Sequence, residues 1–359
     1  MIILFSGGGT LGSVSPLLAM HETFRSDDEH SFLWIATKGG PEVSMVKRAG
    51  FRVKEVSSGK LRRYVSLRSL RDIPAIIIGF VQSFLFIWRE RPDVCITAGS
   101  FVSVPLHVAA WILGVPTWVH QQDAEVGLAN WVMAKIATVV TVALEENVRH
   151  FREKKTIWLG NPVRSDIRAG NKREARQCLG ITSNLPVVFV TGGGTGAYRL
   201  NQLVAETVQN LDGICEIIHL TGKGRSSGMV ERAAQFFPNY HVYNFFLEEM
   251  KHAYALADIV ITRGGFGTLS ELAALEKCAI VFPKAGHQEH NVAHLRDEMA
   301  VVVMNEQTAS GHHLSAMVKD LLEDSSRRSL MGEKLSGLIP AAKPSEMKKI
   351  LVMLEKSVR

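Results

Sequence analysis

Short runs of apolar and β-branched residues alternate along the chain with longer segments that have helical spacing. Continuous apolar strands separated by amphipathic helices are typical of parallel sheets covered on both faces. The predicted strands are Ile2–Phe5, Phe32–Ile35, Val94–Thr97, Thr117–His120 and Val139–Val142 in the first half, and Val187–Thr191, Glu216–Leu220, Ile259–Thr262, Ala279–Pro283 and Val301–Met304 in the second.

One short sequence occurs twice. The segment Leu4–Thr10 (LFSGGGT) recurs as Phe189–Thr195 (FVTGGGT), and each copy is a strand running into a triple-glycine turn. The repeat predicts an α/β protein with two doubly wound, Rossmann-like domains. A chain of 359 residues, of which 46% are hydrophobic, is long and apolar enough for two cores.

The domain boundary is expected at Asn161-Pro162, because Asn-Pro favours a turn. The first domain then comprises residues 1–161, with a closing helix over 343–359 that packs back on it. The second domain comprises residues 162–342.

Charge and cysteine content argue against several classes of protein. The net charge of +6 is explained by a generic basic surface without a nucleic-acid partner. The four cysteines form no CxxC pair, so neither a disulfide framework nor a zinc site is expected. The first residues resemble a strand rather than a signal peptide, and no run of about 18 apolar residues occurs. We therefore expect a cytoplasmic protein.

The two glycine loops are candidates for binding phosphate. Glycine lets the backbone approach a phosphate, and the following helix offers free N–H groups and a positive dipole end. The spacing matches neither GxGxxG nor GxxxxGK[ST], which argues against a dinucleotide or ATP. A single such loop could equally be a tight turn, but two of them favour a ligand.

The segment Thr262–Ala274 (TRGGFGTLSELAA) has the sharpest pattern. A strand ends in Arg-Gly-Gly, and Thr268 lies near the start of the next helix. Glu271 is placed to accept hydrogen bonds from a ribose diol, or alternatively to stabilise the helix macrodipole. Further on, Gln288 and Asn291 could bind sugar hydroxyls through their amides, or simply form a polar loop. A metal at His287 and His290 has no supporting ligand spacing.

The sequence contains no Asp-x-Asp motif, so paired carboxylates are not expected to hold Mg²⁺ on a diphosphate. Arg164 and Arg263 are then the candidates for stabilising a leaving diphosphate.

The stretch Ile73–Trp88 is apolar on nearly every helical face and is flanked by arginines. It is either a buried helix or one that packs on the sheet and dips its other face into lipid. At this length it is not expected to span a bilayer. The residues assigned to a membrane-binding patch are Ile76, Phe80, Phe84, Trp88, Arg68 and Arg71.

Together these motifs resemble the MurG family of N-acetylglucosaminyltransferases, and the resemblance covers essentially the whole chain. The segments that carry it are Gly8–Gly12, Gly99–Pro105, His120–Asp123, Gly127–Asn130, Gly160–Arg164, Gly192–Ala197, Phe246–Met250, Arg263–Glu271 and His287–Asn291.

This resemblance implies a GT-B fold, in which two Rossmann-like domains face each other across a cleft. It implies that GlcNAc passes from UDP-GlcNAc to the C4 hydroxyl of MurNAc in lipid I, giving lipid II with inversion. It implies peripheral attachment to an anionic membrane, partners among cell-wall synthesis proteins, and no metal cofactor. The implied UDP-GlcNAc-binding residues are Thr10, Gly12, Asn130, Arg164, Gly194, Thr195, Phe246, Leu247, Arg263, Thr268, Glu271, Gln288 and Asn291.

Two departures from the family pattern leave the catalytic base open. Ser13 stands where the family has histidine, and His120-Gln-Gln-Asp123 replaces His-Glu-Gln-Asn. A serine is not a general base near neutral pH without help. Asp123 is the first candidate, with helix capping as its alternative role, and His120 is the second.

Three other functions remain open from the sequence. They are a related transferase with another lipid acceptor, a UDP-GlcNAc 2-epimerase, and a non-catalytic protein that binds UDP-sugars.

Overall fold

The computed structural model describes the chain except residues 10–11, 27–29, 60–66, 194–195, 223, 247 and 358–359, and it describes residues 67–71 by their backbone alone. The chain forms two compact units. Unit 1 comprises Met1–Arg164 and Ala341–Arg359, and unit 2 comprises Ser165–Pro340. These limits lie within a few residues of the boundaries expected from the sequence.

Unit 1 is a parallel sheet with helices on both faces. Its strand order is β3-β2-β1-β4-β5-β6-β7. Its elements are β1 (Ile2–Ser6), α1 (Ser15–Phe24), β2 (Ser31–Thr37), α2 (Val43–Arg48), β3 (Arg52–Val56), α3 (Leu67–Glu90), β4 (Val94–Thr97), α4 (Ser103–Ile112), β5 (Thr117–Gln121), α5 (Leu128–Ala134), β6 (Val139–Val142), β7 (Thr156–Trp158) and the closing helix α14 (Pro344–Lys356).

Unit 2 repeats the same architecture, with strand order β10-β9-β8-β11-β12-β13. Its elements are α6 (Lys172–Cys178), β8 (Val187–Thr191), α7 (Tyr198–Thr207), β9 (Glu216–Leu220), α8 (Gly228–Phe236), β10 (Tyr240–Tyr243), α9 (Met250–Leu256), β11 (Ile259–Thr262), α10 (Phe266–Ala274), β12 (Cys278–Val281), α11 (His287–Asp297), β13 (Val302–Val303), α12 (Gly311–Glu323) and α13 (Ser325–Leu338).

Each sheet has a topological switch point, which is the pair of neighbouring strands at which the strand order reverses. In unit 1 the chain turns in opposite directions from β1 and from β4, and these two strands pair side by side. In unit 2 the same holds for β8 and β11. Ligands of doubly wound sheets bind outside the carboxyl ends of such strand pairs. Each triple-glycine loop follows the first strand of its unit and therefore lies at this place.

The closing helix α14 belongs to unit 1. Met347, Ile350, Leu351 and Leu354 are buried in a cluster with residues of α1 and of the β1–β2 region of the sheet. The backbone N–H of Ala342 also donates to the carbonyl of Asn161 at 2.9 Å. The chain therefore leaves unit 1 and returns to it at adjacent points.

The predicted membrane patch on α3 is wrong for Phe80 and Phe84, whereas Trp88 of the same patch is exposed. Phe80 and Phe84 pack against the core cluster that contains Leu4 and Ile35, and Ile76 is half-buried. The exposed apolar face consists instead of Ile73, Ile77, Ile78, Val81, Leu85 and Trp88. The two faces lie on different sides of the same helix. Because the helix is apolar nearly all round, the sequence does not reveal which side packs on the sheet. The side chains of Arg68 and Arg71 lie outside the described residues.

Helix α3 is long enough to cross a membrane. Among the described residues, the segment Asp72–Glu90 is long and apolar enough by length and composition, contrary to the expectation from the sequence. However, Gln82 accepts a hydrogen bond from the backbone N–H of Ser57 at 2.9 Å, and Ile87 is fully within the core. Helix α3 is therefore an integral part of unit 1.

Candidate functional site

The carboxyl edge of the unit 2 sheet carries two helix N-termini at its switch point. Helix α7 begins after the loop that follows β8, and α10 begins after the loop that follows β11. The N-cap residues, Ala197 and Gly265, provide no side-chain cap to these helices. Uncapped backbone N–H groups at a helix start attract anions. The pair of N-termini is compatible with a diphosphate, whose binding here stays a prediction, and Gly194 and Thr195 lie outside the described residues.

Glu271 and Thr268 both lie on α10. Thr268 is half-buried in the first turn of the helix. Glu271 is further along, and no acidic residue lies in the first turn, so macrodipole stabilisation does not explain it. The phenol of Tyr254 donates a hydrogen bond to Glu271 Oε2 at 2.8 Å. Glu271 is half-buried, which leaves its carboxylate reachable at the surface of unit 2.

Arg263 is paired with an acidic residue of its own unit. Its side chain is almost completely buried and forms an ion pair with Glu306, with Nη2 and Oε2 2.5 Å apart. Its Nη1–H also donates to the carbonyl of Phe282 at 3.2 Å. A guanidinium that is buried and neutralised in this way holds strand ends together. Its charge is thereby paired within unit 2, and its role at a leaving diphosphate stays a prediction.

The start of α11 packs closely on the glycine loop before α10. A Cβ added to Gly264 would lie 2.9 Å from the carbonyl oxygen of Gln288. Asn291 is buried and donates from Nδ2 to the carbonyl of Gly264 at 3.2 Å. The side chain of Gln288 accepts from the backbone N–H of Lys284 at 3.0 Å. Both amides therefore shape the loop, and their contact with a sugar stays a prediction.

Phe246 is buried and its ring lies against that of Tyr243, with the centroids 4.8 Å apart. One side of this ring is thus already covered. Its predicted contact with uracil stays a prediction, and Leu247 lies outside the described residues.

In unit 1 the first glycine loop is occupied by an internal carboxylate. Glu42 is fully buried, and its carboxylate accepts from the backbone N–H of Gly9 at 3.2 Å and of Thr37 at 2.8 Å. A Cβ on Gly8 would lie 2.1 Å from Glu42 Oε1, and one on Gly40 would lie 2.3 Å from Oε2. These glycines are thus needed by a carboxylate of the protein itself. The carboxylate of Glu42 disfavours a second anion beside Gly9, and phosphate binding at this loop stays a prediction.

Three buried side chains near this loop have polar atoms without a partner among the described residues. They are the hydroxyl of Ser13, Oε1 of Gln122 and Oδ1 of Asn130. Gln122 donates from Nε2 to the carbonyl of Gly12 at 3.0 Å, which ties it to the first loop. Buried acceptors without donors are costly, and a ligand with hydroxyl or amide groups would satisfy them.

Asn130 is oriented by two donated hydrogen bonds. Its Nδ2 donates to the carbonyl of His120 at 3.1 Å and to Gln121 Oε1 at 2.7 Å. Its Oδ1 then points towards Gly99, where an added Cβ would lie 3.2 Å away. Gly99 follows β4, so Asn130 and the first loop border the same switch point. Asn130 was predicted to bind substrate, and its placement is compatible with that.

His120 is not a candidate base. His120 Nε2–H donates to Asn161 Oδ1 at 2.9 Å, because an amide oxygen can only accept. In the neutral ring Nδ1 then accepts from the Thr141 hydroxyl at 2.9 Å, and that hydroxyl oxygen accepts from Trp118 Nε1–H at 2.8 Å. Burial lowers the pKa of His120 to about 4, against the opposing effect of the bond to Asn161. The ring is therefore neutral, fully engaged and structural, and this prediction is corrected.

Asp123 lies in the loop between β5 and α5. Its carbonyl accepts from Gln121 Nε2 at 2.7 Å and from Asn147 Nδ2 at 3.0 Å, which fixes the backbone there. The N-cap residue of α5 is Gly127, four residues further along the chain, so Asp123 is not the N-cap residue of that helix. Asp123 is half-buried, which is the accessibility that a proton acceptor needs.

The remaining predicted residues are placed as follows. Gly12 is exposed, Arg164 is half-buried at the end of unit 1, and Thr10 lies outside the described residues. Among the described residues, no group of three or more His, Cys, Asp or Glu side chains could hold a metal ion.

Sequence reasoning missed Glu42, Gln122 and Tyr254. Glu42 and Tyr254 lie far from their partners along the chain, and neither stands in a glycine motif. A possible signal for Glu42 was Gly39-Gly40, a second glycine pair just before an isolated glutamate.

Two family models match this chain. The N-terminal domain of glycosyltransferase family 28 matches residues 3–142, and the C-terminal domain of that family matches residues 187–348. Curated relatives carry the name UDP-N-acetylglucosamine–N-acetylmuramyl-(pentapeptide) pyrophosphoryl-undecaprenol N-acetylglucosamine transferase. The relative from Shouchella clausii is 34% identical over 281 residues, which is 78% of both chains. The relative from Staphylococcus aureus is 31% identical over 332 residues, covering 90% of this chain and 92% of its own.

Solved structures share the fold. MurG of Acinetobacter baumannii superposes with a TM-score of 0.72 at 21% identity and covers 99% of both chains. The UDP-GlcNAc 2-epimerase of Neisseria meningitidis reaches 0.71 at 12% identity, covering 99% of this chain and all of its own. Since a transferase and an epimerase both match, the fold alone does not decide the reaction, whereas the sequence relatives do.

Replacement of Glu42 by Gln should destabilise unit 1. The amide would direct N–H groups at the backbone donors of Gly9 or Thr37, leaving at least one buried donor unpaired at a cost of about 1–3 kcal/mol. The midpoint of thermal unfolding should therefore fall by several degrees.

Glu146→Gln, at an exposed position of the same unit, is the matched control and should leave the midpoint unchanged. Equal midpoints for both variants would show that the carboxylate does not hold the loop.

Proposed function

This chain belongs to the MurG family, within glycosyltransferase family 28, and on that premise we propose that it transfers GlcNAc from UDP-GlcNAc to lipid I and so forms lipid II. The observation that carries the proposal is the sequence relationship to transferases of that name over most of the chain. Neither the 2-epimerase nor a transferase with a different lipid acceptor is favoured by these relatives.

The donor is bound by unit 2. The N-termini of α7 and α10 take the diphosphate, and Glu271 takes the ribose hydroxyls. Because Arg263 is neutralised by Glu306, the departing UDP is stabilised mainly by backbone N–H groups and helix dipoles, with Arg164 as the remaining arginine candidate. Gln288 and Asn291 lie beside this edge and are assigned to the GlcNAc.

The acceptor is bound by unit 1. The unpaired polar atoms of Ser13, Gln122 and Asn130 suit a sugar, because sugar hydroxyls can donate to each of them. The internal carboxylate of Glu42 disfavours a phosphate at the first loop itself, so the sugar rather than the pyrophosphate is placed nearest to it.

The reaction is a single displacement with inversion. The oxygen of the MurNAc C4 hydroxyl forms a bond to the anomeric carbon of GlcNAc, and the bond from that carbon to the UDP oxygen breaks. The hydroxyl proton passes to Asp123, which is the remaining candidate once His120 is excluded and Ser13 lacks a partner to activate it. The absence of an Asp-x-Asp motif supports a reaction without a metal ion.

The protein is assigned to the cytoplasmic face of the cell membrane. The exposed apolar face of α3 includes Ile77, Val81, Leu85 and Trp88, which lie at helical spacing on one side. Such a face enters the boundary between headgroups and acyl chains while the opposite face stays on the sheet. Cell-wall synthesis proteins remain proposed partners.

Incubation of the protein with UDP-GlcNAc and a lipid I analogue in detergent, with EDTA present, should release UDP and form the disaccharide. Product formation would establish the donor, the acceptor and independence from a metal. Tight binding of UDP-GlcNAc without any product would contradict lipid I as the acceptor and support another acceptor or a binding protein. C2 inversion without acceptor would select the epimerase.

Asp123→Asn should lower kcat by about a hundredfold, because it removes the proton acceptor while preserving the size of the side chain. KM for UDP-GlcNAc should change little, since the donor is bound by unit 2. His120→Gln is expected to lower stability instead, because it disrupts the network with Thr141 and Asn161. A kcat within about threefold of the native value for Asp123→Asn would rule out this base.

Ile77→Asp combined with Leu85→Asp should weaken binding to vesicles of phosphatidylglycerol and phosphatidylethanolamine by at least about tenfold, because two apolar side chains leave the lipid. Co-sedimentation with the vesicles measures this. Val352→Asp on α14, at an exposed apolar position outside this face, is the control and should bind as the native protein does. Unchanged sedimentation of the double variant would reject α3 as the membrane contact.

A further inference from the structure

Tyr254 lies at a fixed position beneath the donor edge of unit 2. It is 1% exposed and sits on α9. Its ring meets that of Phe189 edge to face, with centroids 5.4 Å apart and an interplanar angle of 88°. Phe189 is itself a fully buried residue of β8. An aromatic ring packed in this way has little freedom, so the position of its hydroxyl is set by the core.

That hydroxyl is bonded to Glu271. The distance from Tyr254 Oη to Glu271 Oε2 is 2.8 Å, which is typical of a phenol that donates to a carboxylate. Glutamate has three side-chain torsions, and an exposed one samples many rotamers. A bond from a buried ring to one carboxylate oxygen restricts those torsions. Glu271 therefore presents its carboxylate in a defined plane before any ligand arrives.

The orientation of the Glu271 carboxylate affects how well it can bind a diol. Two neighbouring ribose hydroxyls need acceptors at fixed separation and direction, and an ionised carboxylate offers two oxygens with about four lone-pair positions. The bond from Tyr254 uses one of these positions and fixes the direction of the others. A nucleotide that lacks the 2′-hydroxyl would lose one of these contacts.

We infer that Tyr254 is a positioning residue that orients Glu271 and thereby gives unit 2 its preference for ribonucleotide over 2′-deoxyribonucleotide donors. This inference rests on the proposed role of Glu271 as the ribose ligand. It adds a residue that touches neither the nucleotide nor the acceptor and that acts only through Glu271.

The test is the equilibrium binding of UDP and of 2′-deoxy-UDP to the full chain, measured by titration calorimetry. Tyr254→Phe keeps the ring and its contact with Phe189 but removes the hydroxyl. Its Kd for UDP should rise about tenfold, whereas its Kd for 2′-deoxy-UDP should rise much less. The ratio of the Kd for 2′-deoxy-UDP to the Kd for UDP should therefore fall towards one.

Tyr240→Phe is the matched control. Tyr240 is also buried in unit 2, and its hydroxyl bonds to His219 Nδ1 at 2.6 Å rather than to Glu271. This variant should keep the native ratio even if its stability falls. A lower unfolding midpoint for Tyr254→Phe with an unchanged ratio would mean that Tyr254 is merely structural, and the inference would be overturned.

Glu271→Gln separates the inference from the function on which it rests. If the ratio stays native in Glu271→Gln, Glu271 does not read the ribose, and both that assignment and the inference fail. If the ratio collapses in Glu271→Gln but stays native in Tyr254→Phe, the assignment of Glu271 stands and the inference alone fails. Because binding is measured without an acceptor, neither result depends on catalysis.

Discussion

The structure depends on one constraint, which is that backbone N–H groups gathered at the switch point of a parallel sheet must find acceptors. Both units have the same strand order there and the same glycine loop after the first strand. In unit 1 the carboxylate of Glu42 supplies the acceptor for Gly9. Helices α1 and α4 of unit 1 and α7 and α10 of unit 2 all begin without a side-chain cap from the N-cap residue. The buried carboxylate at the first loop is therefore what sets unit 1 apart among the described residues.

Burial and internal bonding also distinguish structural side chains from candidate functional side chains elsewhere in the two units. Arg263 and His120 stand in motifs that resemble functional ones, yet each is buried and bonded to other residues of its own unit. Burial lowers the pKa of His120 to about 4, so its ring carries no charge near neutrality. Protonation on acidification would oppose folding, and the stability that the neutral ring contributes would be lost as the pH falls from about 6.5 towards 4. The half-buried Asp123 and Glu271 are the groups left with access to substrates.

Most of the fold was predictable from local pattern. Each of the ten predicted strands corresponds to a strand of the structure. All except β13, which is an edge strand, are central strands, and these are apolar because helices cover both faces of a parallel sheet. The strands that were missed are Arg52–Val56, Thr156–Trp158 and Tyr240–Tyr243, and each lies at an edge of its sheet. Their side chains are partly exposed, so the apolar run that marks a buried strand is interrupted.

The sequence by itself determined the two-unit α/β architecture, the glycine loops and the family, because these depend on residues that are neighbours along the chain. Only the tertiary structure decided which face of α3 is exposed, that Glu42 fills the first loop, that Arg263 is paired, and that Tyr254 holds Glu271. The pairs concerned are separated by 33 residues for Gly9 and Glu42, 43 for Arg263 and Glu306, and 17 for Tyr254 and Glu271. Local periodicity reports whether a position is polar or apolar, whereas the partner of a buried charge or hydroxyl depends on how distant segments pack together.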